Sequence, residues 1–181
     1  MLTAKQKRRE NIAEYILYLF QIEDLLRAFQ LDMEQIKAKL IPQYNAESIE
    51  LQSDIVAWYQ NLVVMMNKEG ITEKGHFQFL VNLINDLNEF HLKLLETGKV
   101  PEYTRTYTTV AGLITELKMK SNGNKNSILI GLEAIYGYLL LKIQQKTVSN
   151  ETSDAIQQLS GWLAQLSKNF KDYEEDILEI E

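Results

Sequence analysis

Residues 128–142 read ILIGLEAIYGYLLLK, a helix-length run in which Glu133 is the only charge before the terminal Lys142. A helix that is apolar on every side has to be surrounded by protein. The run therefore predicts a central helix at about 127–145, with the remaining elements arranged around it. It is too short to span a bilayer comfortably, which takes about 20 apolar residues. Turned at about 100° per residue, Ile128, Leu132, Ile135, Leu139 and Ile143 share one face, and Ile130, Ala134, Tyr138 and Leu141 occupy much of the other. Glu133 falls between them, one turn before Gly137. Desolvation disfavours a charged carboxylate in such a place unless a cation or donors compensate, so Glu133 is the first candidate for a polar pocket.

Outward from this helix, apolar spacings of three and four recur along the chain, and sustained alternation is absent. A first helix is expected over Lys5–Phe29, and a short one over Met33–Leu40, capped by Asp32 and stopped by Pro42. The next spans Glu47–Lys68, placing Leu51, Ile55, Trp58, Tyr59, Leu62, Met65 and Met66 on one face, with Gly70 to end it. Thr72 is positioned to cap a third long helix to Glu96, left through Gly98 and Pro101, and a shorter helix covers Arg105–Lys118. The stretch 121–126, SNGNKN, is the clearest loop, and Ser127 can cap the apolar helix. After residues 148–152 a last helix carries Ile156, Leu159, Leu163, Leu166, Phe170 and Ile177 on one stripe. The expected fold is all-α, an up-and-down bundle of about six main helices forming a single domain over 1–181.

The 181 residues carry a net charge of −6 and no cysteine. A negative chain has no general attraction to phosphate backbones, so a nucleic-acid accessory role would rest on the local cluster Lys5, Lys7, Arg8 and Arg9. Asp172, Glu174, Glu175, Asp176, Glu179 and Glu181 form an acidic tail that can meet this basic head within the chain or between subunits. Without cysteine there is no disulfide framework, thiolate metal site or cysteine nucleophile. The apolar stretch 15–22 has the outline of a secretion signal, but Glu14, Glu23 and Asp24 interrupt it. That points to a structural helix in a cytoplasmic protein.

Two constellations are candidates for chemistry. A polar pocket beside the apolar helix would draw on Glu133, Tyr136 and Tyr138, with His91 from the third long helix and Arg27 and Glu23 from the first. Each also has a commoner role: a histidine on a core face is usually structural, and Glu23 and Arg27 lie four apart and can pair. An anion site would combine Tyr103, Thr104, Arg105 and Thr106 at a helix start, where amides, hydroxyls and a guanidinium converge; a capped helix start explains the same letters. Residues 122–126 offer a weaker anion nest. Glu73 and His76 have the Glu-x-x-His spacing of di-iron bundles, but the second pair that such a site needs is missing, so no metal or cofactor is expected.

The opening segment QKRRENIAEYILYLFQIEDLLR at 6–27, the total length and the glycine-containing apolar helix around Glu133 together resemble an uncharacterised family of small all-helical proteins from Bacteroides-type bacteria. The resemblance covers essentially the whole chain. It implies a bacterial, cytoplasmic protein of unassigned role and carries over no functional residue. The leading expectation is a non-enzymatic helical interaction module, a homodimer or the binder of a protein partner, with no membrane span. The alternative is a small-molecule-binding protein or unrecognised enzyme with its pocket beside Glu133.

Overall fold

The computed structural model describes residues 2–121 and 124–180 and is all-helical, with no strand among the described residues. Eight α-helices follow in order: α1 (Leu2–Glu10), α2 (Ile12–Ala28), α3 (Met33–Gln35), α4 (Ile49–Glu69), α5 (Gln78–Thr97), α6 (Pro101–Lys120), α7 (Ser127–Ile143) and α8 (Asn150–Glu174).

Local chemistry explains where the helices begin and end. The expected first helix is broken at Asn11, whose extended backbone (φ −154°, ψ 106°) lets its side chain accept from the Glu14 amide at 3.1 Å. Asp32 caps α3 as expected, but the chain then continues through a π turn, Ile36–Leu40, and a 3-10 turn, Ile41–Tyr44. Pro42 therefore does not stop a helix; it sits in the first turn of the next one, where its missing amide is not needed. Gly70 ends α4 in the left-handed region (φ 68°). Thr72 caps nothing: residues 71–77 form a loop, and α5 starts six residues later, at Gln78. Pro101, read as an exit signal, instead opens α6. Asn126 rather than Ser127 caps α7, accepting from the Leu129 amide at 2.8 Å, and Ser149 caps α8. Residues 122 and 123 of the expected loop lie outside the described residues.

The first half of α7 is buried in the core. It packs on α2, α5, α6 and α8. Ile128, Ile130, Leu132 and Ile135 are buried, and Gly131 lets Trp162 of α8 approach so closely that an added Cβ would lie 2.9 Å from the indole. The second half departs from expectation. No α7 residue after Ile135 is buried; Leu139 still packs on the core, but Leu140 and Leu141 do not, Gly137 is exposed and Ile143 is 69% exposed. The helix is longer than the core it enters, so its apolar surface continues beyond the protein that covers it. The stripe of α8 likewise ends at Glu174, which leaves Ile177 exposed while Ile180 is buried. No helix among the described residues is long and apolar enough to cross a membrane.

Candidate functional site

The most deeply buried acid lies on α2. Glu23 has no solvent exposure, and its two oxygens reach the segment that leads into α5: Oε2 lies 2.7 Å from His76 Nδ1, and Oε1 accepts from the Phe77 amide at 2.8 Å. Glu69 accepts from the next amide, Gln78, at 2.8 Å. Carboxylates from α2 and α4 thus cap a helix start that has no side-chain cap of its own. Because a carboxylate accepts, His76 Nδ1 carries a proton, on a side chain that is 26% exposed. The imidazole stacks on Phe20 with centroids 4.0 Å apart.

One turn along α2, Arg27 extends the same network. It donates to Asp24 Oδ1 at 3.1 Å, to the Ile71 carbonyl at 3.2 Å and to the Gly75 carbonyl. Tyr136 of α7 donates to Asp24 Oδ2 at 2.6 Å, and burial followed by that hydrogen bond pushes its phenol well above the usual range. Glu23, Asp24, Arg27, His76 and Tyr136 therefore tie the 71–77 loop to α2 and α7. Chemically, the arrangement orients one partly exposed imidazole, as carboxylate–histidine pairs do.

Glu133 belongs elsewhere. Lys125 Nζ lies 2.8 Å from each of its oxygens, and the two side chains are 30% and 34% exposed, so a cation from the preceding loop satisfies it at the rim of the core. Tyr138 turns to Ser153 at 3.4 Å. His91 is fully buried in a separate chain of donors between α5, α6 and α8. Trp162 Nε1 donates to Tyr103 Oη at 3.0 Å, which directs the Tyr103 proton to His91 Nδ1, 2.5 Å away. The His91 proton then sits on Nε2, a buried atom with no hydrogen-bond partner among the described residues. The Tyr107 ring, 4.5 Å from the imidazole at 69°, offers edge-to-face contact beside it. Burial first, then the charge of Lys118, pulls His91 down to about 4, and burial raises the Tyr103 phenol.

The six pocket candidates are thus divided. Glu23, Arg27 and Tyr136 share one network, while Glu133, Tyr138 and His91 occupy three others. Nor do the four anion-site candidates converge, because α6 begins four residues earlier than expected and places them inside the helix. Tyr103 points into the core, and Thr106 returns its hydroxyl to the Glu102 carbonyl at 3.0 Å. The Thr104 hydroxyl is buried, and Arg105 is exposed. The nest at residues 122–126 lies partly outside the described residues. His76, rejected as a metal ligand, is the member of the Glu23 network that spacing could not supply, since it lies 53 positions away.

The charged ends meet within the chain. Arg8 donates to both oxygens of Glu174, at 2.9 and 2.7 Å, and Lys7 pairs with Glu14 at 2.9 Å. Among the described residues no group of three or more His, Cys, Asp or Glu side chains is placed to hold a metal ion. Comparison with curated proteins and with solved structures finds no match. A family model described as Domain of unknown function (DUF4924) matches residues 1–176, and the chain belongs to that family.

Proposed function

We propose that the chain is a non-enzymatic interaction module, one domain over 1–181 built as an up-and-down bundle of its six long helices, and that it works in the cytoplasm as a homodimer joined through the outer half of α7. The supporting observation is the partly covered apolar surface of that helix, where Leu140 and Leu141 are half-buried and lie outside the core cluster. Gly137, Leu140, Leu141 and Gln144 fall within one arc, while Leu139 on the opposite side packs on the core. An added Cβ at Gly137 would meet nothing within 4 Å, so a second helix can approach there closely. A specific interface needs roughly 1,000 Å² in total, which calls for neighbouring surface besides these side chains.

Light scattering coupled to size exclusion tests the reading. The full chain is expected at twice 21.0 kDa, and the double variant Leu140→Lys/Leu141→Lys at 21.0 kDa with an unchanged helical spectrum. Wild-type protein that stays at 21.0 kDa at every concentration refutes the homodimer. The acidic tail is a poor place for this test, because truncation from Asp172 would also remove the Glu174 partner of Arg8 and the buried Ile180.

A further inference from the structure

The four cations of α1 are not equivalent. Lys7 is paired with Glu14 and Arg8 with Glu174, whereas Lys5 and Arg9 are exposed and have no ion-pair partner among the described residues. Four positions apart, those two side chains lie over one another on the same helix face. Together with Ala4, Arg8, Tyr15 and Trp58 they line a recess of about 340 Å³ where α1 and α2 meet α4. Its walls are held in place. Trp58 is half-buried and meets buried Tyr59 at 4.9 Å and 75°, and Arg8 is fixed by both oxygens of Glu174.

We propose that this recess binds a mononucleotide, its phosphate dianion between Lys5 and Arg9 and its base against the rings of Trp58 and Tyr15. Two unneutralised cations match the charge of one phosphate group, and the guanidinium of Arg9 suits its oxygens geometrically. An aromatic ring beside those cations supplies a surface on which any base can stack. The recess is at the small end of ligand sites, large enough for a mononucleotide. The net charge of −6 opposes a longer polyanion. This site stands apart from the α7 surface, and either can fail without the other.

The chain reports on its own recess. It contains two tryptophans, Trp58 beside the recess and Trp162, which is fully buried. Titration of the full chain with AMP, excited at the red edge of the indole band, is expected to quench fluorescence saturably with a Kd on the order of 1 mM or tighter. Trp58→Phe is expected to abolish the quench while leaving Trp162 emission intact. Lys5→Ala/Arg9→Ala is expected to weaken binding by about tenfold or more, a difference that ionic strength also erodes. Inorganic phosphate is expected to compete without quenching, and adenosine to quench only far more weakly than AMP. No saturable response to AMP, equal affinity in the Lys5→Ala/Arg9→Ala variant, or tighter binding of a single-stranded oligonucleotide each overturns the proposal.

Discussion

His91 ties the stability of this fold to pH. In the folded chain burial lowers its pKa from 6.5 to about 4, so near neutrality the imidazole is buried uncharged. The unfolded chain takes up a proton as the pH falls through 6.5 and the folded chain does not until about 4, so the stabilisation is complete above 6.5 and is lost across that window. One pKa unit corresponds to about 1.4 kcal/mol, which limits the total loss to about 3 kcal/mol and puts about 2 kcal/mol of it between roughly pH 7 and pH 5. Urea unfolding followed by circular dichroism at a series of pH values measures this directly when wild type is compared with His91→Phe. The variant leaves the Tyr103 hydroxyl without its acceptor and starts about 1–3 kcal/mol lower. Every other ionisable group is common to both proteins, so the difference in slope isolates His91. Parallel profiles, agreeing to within about 0.5 kcal/mol from pH 7 to pH 5, would refute an uncharged buried imidazole.

The acids Glu23 of α2 and Glu133 of α7 are expected to differ sharply. Glu23→Ala removes the acceptor for His76 and for the Phe77 amide inside the protein and is expected to cost about 3–5 kcal/mol in urea unfolding. Glu133→Ala breaks a pair that is one-third exposed and is expected to cost less than about 1 kcal/mol; equal costs would contradict the assignment of the buried site. Gly131→Ala drives a methyl to 2.9 Å from Trp162 and should lower the melting temperature by the equivalent of about 1–3 kcal/mol. Gly137→Ala enters open space and should raise it by up to about 1 kcal/mol through helix propensity, measured at concentrations where the chain is monomeric. A double-mutant cycle on Arg8 and Glu174 should return a coupling below about 1 kcal/mol, since both side chains are more than one-third exposed.

Periodicity makes most helices legible in the sequence. Ile55, Tyr59, Leu62 and Met66 of α4, and Leu159, Leu163 and Leu166 of α8, are buried because a repeat of three and four residues can face inward in only one way. Boundaries were harder where one residue type serves two purposes. Pro101 can follow one helix or begin another, and only the packing of Tyr103 and Val110 into the core favours the longer α6. Asn11 was invisible as a break because the apolar pattern continues across it; its cap bond to Glu14 exists only once α1 turns away from α2.

The buried acid shows why a site is less legible than a fold. Glu133 stands out in the sequence because its neighbours are apolar, yet composition around a residue says nothing of how deep its own face lies. At 34% exposure, with Lys125 beside it, Glu133 is a rim residue on a core helix. Glu23 has ordinary neighbours, Ile22 and Asp24, and no solvent exposure. Its burial is tolerable because two donors arrive from residues 76 and 77, and those donors exist only when the loop after α4 folds back across α2. The loop in turn depends on Arg27, which holds the carbonyls of Ile71 and Gly75. Carboxylate, loop and guanidinium therefore stabilise one another, and the one local signal, the four-residue spacing of Glu23 and Arg27, points to a pair with each other, whereas Arg27 pairs with Asp24 and Glu23 with His76. If the order is cooperative in this way, Arg27→Ala should expose His76 and Phe77 as a unit. Hydrogen exchange can follow this at the Phe77 and Gln78 amides, whose protection should fall together; loss at one alone would show that the two carboxylate caps act independently.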